Sequence, residues 1–294
     1  MKRIIALTIF LFLAPAVNAQ QQQLLVITTE PNAIVWVDDI RRGTTDKSGK
    51  LTLTKLTSRR HTIRVRANGF KETAVPLVPG RTAITVKLVR TTSEPELAFQ
   101  KAETARETAR DDAARQNAVD LYREAIRLNP TSANAHVGLA RVLLDQGKTN
   151  DALAEIDAAR RARPSYPEAS AVEGRIYREA GNTEESIRSF KRAIREGNGF
   201  QPEAHVGLAR VYEDKGQFAE AAAELRAAID QLSDSEPVIY QMLGAAYEKL
   251  EKKKEAAAAY EKYLKLAPNG SYAAAIRSIL DQLKREAAGE QIIP

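Results

Sequence analysis

The stretch HVGLARVLLDQGK, which begins at His136, returns as HVGLARVYEDKGQ at His205, 69 positions later. Glycine and polar positions are kept along with the apolar ones, which marks internal duplication. A chain that repeats itself at fixed spacing folds as stacked units, each covering an apolar face that its neighbour cannot bury alone.

Wider columns support that reading. Small residues recur at Ala118, Ala152, Ser186, Ala221 and Ala256, at intervals of 34, 34, 35 and 35. Four places after each stands a bulky residue: Tyr122, Ile156, Phe190, Leu225 and Tyr260. Ala125, Ala159, Ala193 and Ala228 follow three places later, and Tyr263 breaks that series. In the helix before each, Ala140, Gly174, Ala209 and Gly244 are small, with Leu143, Tyr177, Tyr212 and Tyr247 three places on. The tyrosines of that last column read as packing residues, given their helical spacing. Gly147, Gly181 and Gly216 mark the turn between paired helices, while Pro130, Pro164 and Pro268 close three units. Small residues let paired helices approach, and bulky ones fill the gaps between neighbours.

This pattern resembles the tetratricopeptide repeat. It covers residues 96–288, with repeats near 99–132, 133–166, 167–201, 202–236 and 237–270 and a capping helix at 271–288. The expected cap starts at Ser271 and carries Tyr272, Ile276, Ile279, Leu280 and Leu283 on one face; residues 289–294 form a tail. Two units depart from the pattern. The first has Arg106 and Ala113 in place of the small residue and the turn glycine, and the last has Glu251 in place of the turn glycine.

The resemblance implies a concave groove, lined by the first helix of each pair, that holds partner segments. Val137 and Arg141, Ala171 and Arg175, and Val206 and Arg210 occupy one groove-facing column in three successive repeats. Such an arginine ladder suits the carboxylates of an acidic partner, because the planar guanidinium bonds a carboxylate with two parallel hydrogen bonds. A competing reading is local. Asp145, Glu179 and Asp214 each lie four residues after one of these arginines, and such pairs contribute only about 0.2–0.5 kcal/mol.

Residues 24–92 have a different grammar. LLVITT, AIVWVD, HTIRVRA and TAITVKLV are short, rich in β-branched residues and bounded by turn formers. In the third, Ile63 and Val65 alternate with Thr62, Arg64 and Arg66, which predicts a sheet buried on one side and wet on the other. LTLT and ETAVPLV add weaker strands, the latter at an edge because Pro76 cannot donate a ladder bond. Together they predict a compact β-sandwich, with Trp36 in its core.

TTEPNAIVWVDDIRRGTT, followed by HTIRVRANGF and TAITVKL, resembles the PEGA domain across residues 24–90. Asn32 stands where that family favours glycine, and so does Asp39; Asp46 replaces a common proline. Asn and Asp preserve the turn chemistry. The resemblance implies a non-catalytic module of bacterial surface and exported proteins. Residues 91–95 are the linker, with Ser93 and Glu96 spaced as a helix-capping box.

Charge is divided between the two parts. Residues 24–92 carry 13 Lys/Arg against 5 Asp/Glu, whereas residues 93–294 carry 29 against 33. Arg59, Arg60, Arg64, Arg66 and Lys87 are candidates for a cationic patch that attracts an anionic envelope polymer or membrane surface. The alternative is a solvated strand face whose charges discourage edge pairing. No array of aromatic and basic residues suited to nucleic acid is present.

The start of the chain reads as a signal peptide at residues 1–19. Lys2 and Arg3 precede an apolar run from Ile4 to Ala14, and Val17-Asn18-Ala19 offers a cleavage site. Gln20–Gln23 is a polar lead-in. The chain has no cysteine, so a lipid-anchored N-terminal cysteine and disulfides are both excluded, and an exported protein, periplasmic or at the cell surface, is expected.

Nothing in the sequence calls for a metal, a cofactor or catalysis. The three histidines, His61, His136 and His205, lack metal-ligand spacing, and no phosphate loop or nucleophile motif occurs. The expected function is a protein–protein interaction scaffold of the bacterial envelope. Binding of an anionic cell-wall polysaccharide through the basic β module is the alternative, and an enzyme is the least supported reading.

Overall fold

The computed structural model describes residues 24–38, 40–53, 60–232 and 236–287. Among these, seven strands precede eleven helices. The predicted signal peptide, Asp39, Arg59 and the tail at 289–294 lie outside the described residues.

The strands are β1 (Leu25–Thr28), β2 (Ile34–Val37), β3 (Ile40–Thr44), β4 (Lys50–Leu53), β5 (His61–Arg66), β6 (Thr73–Leu77) and β7 (Ala83–Thr85). They form two sheets, in the orders β4-β1-β7 and β3-β2-β5-β6. β1 pairs antiparallel with β4 and parallel with β7. Alternation puts Leu25, Ile27, Val35, Val37, Ile63 and Val65 into one shared core, each at most 1% exposed. Pro76 sits in β6, which among the described residues is an edge strand laddered to β5 alone. Asn32 adopts φ 56° in the β1–β2 turn, the left-handed conformation that asparagine accepts at low cost.

Sequence reading missed β3. Its antiparallel register with β2 shifts between Val35 and Trp36, so that Val35 faces Gly43 and Trp36 faces Arg41. Arg42 is the extra residue of this bulge. Bulges re-aim side chains, and this one sends Arg42 away from the sandwich.

The helices pair as α1 (Glu94–Thr108) with α2 (Asp112–Leu128), α3 (Ala133–Asp145) with α4 (Thr149–Ala162), and α5 (Pro167–Glu179) with α6 (Thr183–Glu196). They continue as α7 (Pro202–Asp214) with α8 (Phe218–Leu232) and α9 (Val238–Lys249) with α10 (Lys253–Leu266), before a single α11 (Ala273–Ala287). The columns of the sequence are the core. Every small residue from Ala118 to Ala256 is fully buried, and the bulky residues four places on are at most 2% exposed. Gly147, Gly181 and Gly216 turn the chain at φ 74°, 76° and 72°, and Glu251 takes the same role at φ 56°.

The glycines of the duplicated segment have a separate cause. A Cβ on Gly138 would lie 2.4 Å from the Tyr122 ring of α2, and one on Gly207 would lie 2.3 Å from the Phe190 ring of α6. Each ring from one repeat is thus seated against the bare backbone of the next. HVGLARV keeps its glycine because the preceding helix fills that space.

Two local expectations need correction. Ser93 caps α1 without a side-chain hydrogen bond. Thr91 Oγ1 accepts from its backbone N–H at 3.1 Å instead, and Glu96 accepts from Gln100 Nε2 at 2.9 Å. In the capping helix Ile276, Leu280 and Leu283 are buried, whereas Tyr272 is 46% exposed. Tyr272 precedes α11 and packs edge-on to Tyr263, with ring centroids 6.3 Å apart.

The β-sandwich does not trail from the solenoid; it lies over it. Gln100 of α1 accepts from the Gly69 N–H at 2.9 Å and donates to the Phe70 carbonyl at 2.8 Å. Arg66 reaches Glu103 at 3.1 Å and Arg41 reaches Glu107 at 3.0 Å, both carboxylates on α1. At the far side Arg42 donates to the carbonyls of Leu232 at 2.6 Å and Gln231 at 3.1 Å, at the end of α8. One small module therefore bridges the first and fourth repeats.

Candidate functional site

Between the outer face of the second sheet and the first helices of the repeats lies a cavity of about 900 Å³. One wall is Trp36, Arg41, Arg64 and Arg66; the other is built by α1, α3, α5, α7 and α9. All six groove residues read from the sequence, Val137, Arg141, Ala171, Arg175, Val206 and Arg210, line it. The helical period puts them there. Residues four apart share a helix face, and equivalent positions in stacked repeats share a direction.

The arginines are held differently. Arg175 bonds Glu179 at 3.0 Å, the local i,i+4 pair, and also Asp145 of α3 at 2.5 Å. Arg141 passes over its own Asp145 and takes Glu203 of α7 at 3.2 Å. Asp214 pairs with Arg178 at 3.2 Å. Among the described residues, no hydrogen bond or ion pair holds the Arg210 side chain. Local pairing therefore consumes one rung, cross-repeat pairing ties the column together, and the last rung is open.

The first repeat contributes a buried polar cluster. Burial alone would raise the Glu103 pKa, but the charges of Arg106 and Arg66 and the Tyr122 hydroxyl bring it down to about 2. Arg106, which departs from the small-residue column, uses that position to donate to Tyr122 Oη at 3.2 Å. Tyr122 in turn donates to Glu103. Arg66 lies 4.9 Å over the Phe99 ring; burial works against its charge, and Glu72 and Glu103 more than offset that and raise its pKa.

Of the five basic residues proposed for the β module, Arg59 lies outside the described residues and the other four divide between two surroundings. Arg60 and Lys87 are exposed to solvent, whereas Arg64 and Arg66 face the helices. The strand face predicted to be wet is covered there: Arg66 is only 6% exposed. Trp36 is also corrected. Its neighbours Val35 and Val37 fill the sandwich core, so parity turns Trp36 outwards, where Arg64 stacks on it at 4.3 Å and Arg66 lies 5.0 Å from its ring.

Each histidine has a carboxylate partner at 2.6 Å: His61 with Asp38, His136 with Glu155 and His205 with Glu224. The latter two repeat the same spacing of nineteen residues, so duplication has copied the pair along with the histidine. Among the described residues, no cluster of three or more His, Asp or Glu side chains fit to hold a metal ion occurs, and no helix is long and apolar enough to cross a membrane.

Sequence reading missed Trp36, Arg163, Tyr166 and Arg178 as cavity residues. For Trp36 the signal was present in strand parity. For Arg163 and Tyr166 it was not, because they sit at the turn into α5.

A stack of antiparallel helix pairs around a charged trough defines a helical-repeat binding protein. The chain belongs to the tetratricopeptide-repeat family: models of that repeat match residues 109–176, 172–237 and 237–269, together more than half of its length. Such repeats are in general protein–protein interaction scaffolds. The solved structure of TTC0263, a thermophilic TPR protein of Thermus thermophilus, is similar, with 23% identity and a TM-score of 0.52 over 65% of this chain and 98% of that one. That of pilF from Pseudomonas aeruginosa is similar at 16% identity, with a TM-score of 0.57 over 67% of this chain and 85% of that one. Both likenesses concern the fold. No curated protein matches the chain.

Proposed function

We propose that this protein is a non-catalytic scaffold of the bacterial cell envelope whose trough holds an acidic segment of a partner protein. The observation that carries this reading is the alignment of Arg141, Arg175 and Arg210 along one cavity, each one turn beyond a small or apolar residue. Guanidinium groups in a partly enclosed site favour carboxylates, because both charge and fork geometry match. The β module acts as a PEGA-like unit that orients the solenoid at the envelope. Its sandwich of short strands and the left-handed turn at Asn32 support that assignment. Residues 1–19 direct export, which would leave a mature chain beginning near Gln20.

The experiment is retention of a partner from envelope extract by the mature chain and by a variant with Arg141, Arg175 and Arg210 all changed to Ala. Loss of the partner with unchanged helical content supports the reading. Full retention by the triple variant removes it. N-terminal sequencing of the exported chain tests the cleavage site separately.

A further inference from the structure

We propose that the junction between the modules is a two-walled carboxylate site, built by Arg64 and Trp36 on one side and Arg141, Arg163 and Tyr166 on the other, whose ligand is an extended acidic peptide. This rests on the reading of the trough as a protein-binding surface, and adds that the β module is part of the site.

The geometry is specific. Arg64 stacks over Trp36 at 4.3 Å and Arg163 over Tyr166 at 4.3 Å, so two aromatic rings each present a guanidinium to the same cavity. Tyr166 Oη donates to Asn134 Oδ1 at 2.8 Å, which fixes the ring. Burial raises the Tyr166 pKa and the Glu168 charge adds to the rise, while Arg141, Arg163 and Arg64 all pull against it. Three guanidinium groups from β5, α3 and the α4–α5 turn therefore stand within electrostatic reach of one hydroxyl.

Among the described residues nine arginines and six glutamates line the cavity, and Asp145, Glu179 and Asp214 pair with Arg175 and Arg178 from beside it. Arg64 bonds Glu72 at 3.3 Å and Arg141 bonds Glu203 at 3.2 Å. The Arg163 guanidinium has the ring contact and, among the described residues, neither a hydrogen bond nor an ion pair. The guanidinium groups that face the cavity are suited to bidentate carboxylate bonding. Val137, Val206, Ile239 and Met242 are interleaved with them. An extended peptide has both acidic and apolar side chains to match, whereas a uronic-acid polymer lacks the apolar ones.

Trp36 is the only tryptophan of the chain, so its emission reports on this wall alone. The test titrates the mature chain with a short peptide of alternating glutamate and leucine, following Trp36 emission, and in parallel follows the anisotropy of a fluorescein-labelled copy. The expected result is one saturable curve in both signals, absent with a lysine–leucine peptide. Arg163→Gln and Arg64→Gln should each weaken binding roughly tenfold, the loss of one charge-assisted hydrogen bond. Arg163 is exposed, so its replacement leaves folding intact, as circular dichroism will verify. Binding by anisotropy that is lost in the triple trough variant, but leaves Trp36 emission and the Arg163→Gln affinity unchanged, overturns the two-walled site and spares the trough. No binding of the peptide overturns both. A Trp36 response to polygalacturonate in place of the peptide overturns the peptide assignment.

Discussion

The Arg42 guanidinium donates to the backbone carbonyl of Leu232 at 2.6 Å, across 190 residues of sequence. Leu232 ends α8, and the last carbonyls of a helix have no partner within it. Arg42 thus serves as a C-terminal cap supplied by another module, delivered by the bulge in β3. Its burial, the larger effect, lowers its pKa, against Asp38 and Glu236, which favour the charge. The bond fixes the sandwich over the trough.

Arg42→Ala should free that corner of the β module. Hydrogen bonds to a charged group contribute about 1.5–3 kcal/mol, so amide exchange at the end of α8 and along β3 should accelerate by roughly one to two orders of magnitude. Unchanged exchange at both places would refute the clasp.

Glycines of different origin should respond differently to alanine. Gly138→Ala drives a methyl group to 2.4 Å from the buried Tyr122 ring. At so close an approach overpacking costs near the upper end of about 1–3 kcal/mol, and the ~1 kcal/mol helix-propensity gain leaves a net loss of about 2 kcal/mol. Gly147 has nothing within 4 Å, and only its φ of 74° opposes a side chain, at a cost of about 1 kcal/mol. Thermal unfolding should show the lower midpoint for Gly138→Ala, and a higher one would contradict the ring-on-backbone packing.

Glu103 gives the first repeat an acid limit. Its pKa lies at about 2 in the fold against an ordinary 4.5. A depressed carboxylate contributes stability above pH 4.5 that is lost as pH falls towards about 2. The contribution is on the order of 3 kcal/mol. Urea midpoints of the wild type and Glu103→Gln should converge as pH falls through that window; parallel curves would show that the ion cluster carries no such linkage.

His136 titrates in the opposite sense. Its hydrogen bond to Glu155, aided by the Pro130 carbonyl and opposed by burial, raises its pKa above 6.5. Its charged form therefore adds stability that is complete below pH 6.5 and disappears as pH rises through the folded value. NMR titration should place His136 above 6.5 and return it towards that value in Glu155→Gln. A titration unaffected by that change would remove Glu155 as the cause.

Much of the fold was legible because its signals are local or periodic. The small and bulky columns from Ala118 to Tyr260 lie in the core as their spacing demands, and Ile63 and Val65 fill the sandwich as strand alternation requires. β3 escaped notice because Arg41, Arg42 and Gly43 carry no apolar alternation, and the bulge breaks what period remains. Ser93 and Glu96 had the spacing of a capping box, yet the Ser93 N–H donates to Thr91 and the Glu96 carboxylate accepts from Gln100.

The sequence by itself determined the units: a β module, five helix pairs and a column of arginines in register. Only the tertiary structure decided that the module covers the trough, that Arg66 is buried where a wet face was expected, and that Trp36 looks into the cavity instead of the sandwich core. The reason is physical. Periodicity records which face of an element is apolar, but docking through single charged contacts such as Arg42 to Leu232 and Arg66 to Glu103 leaves no periodic trace in either partner.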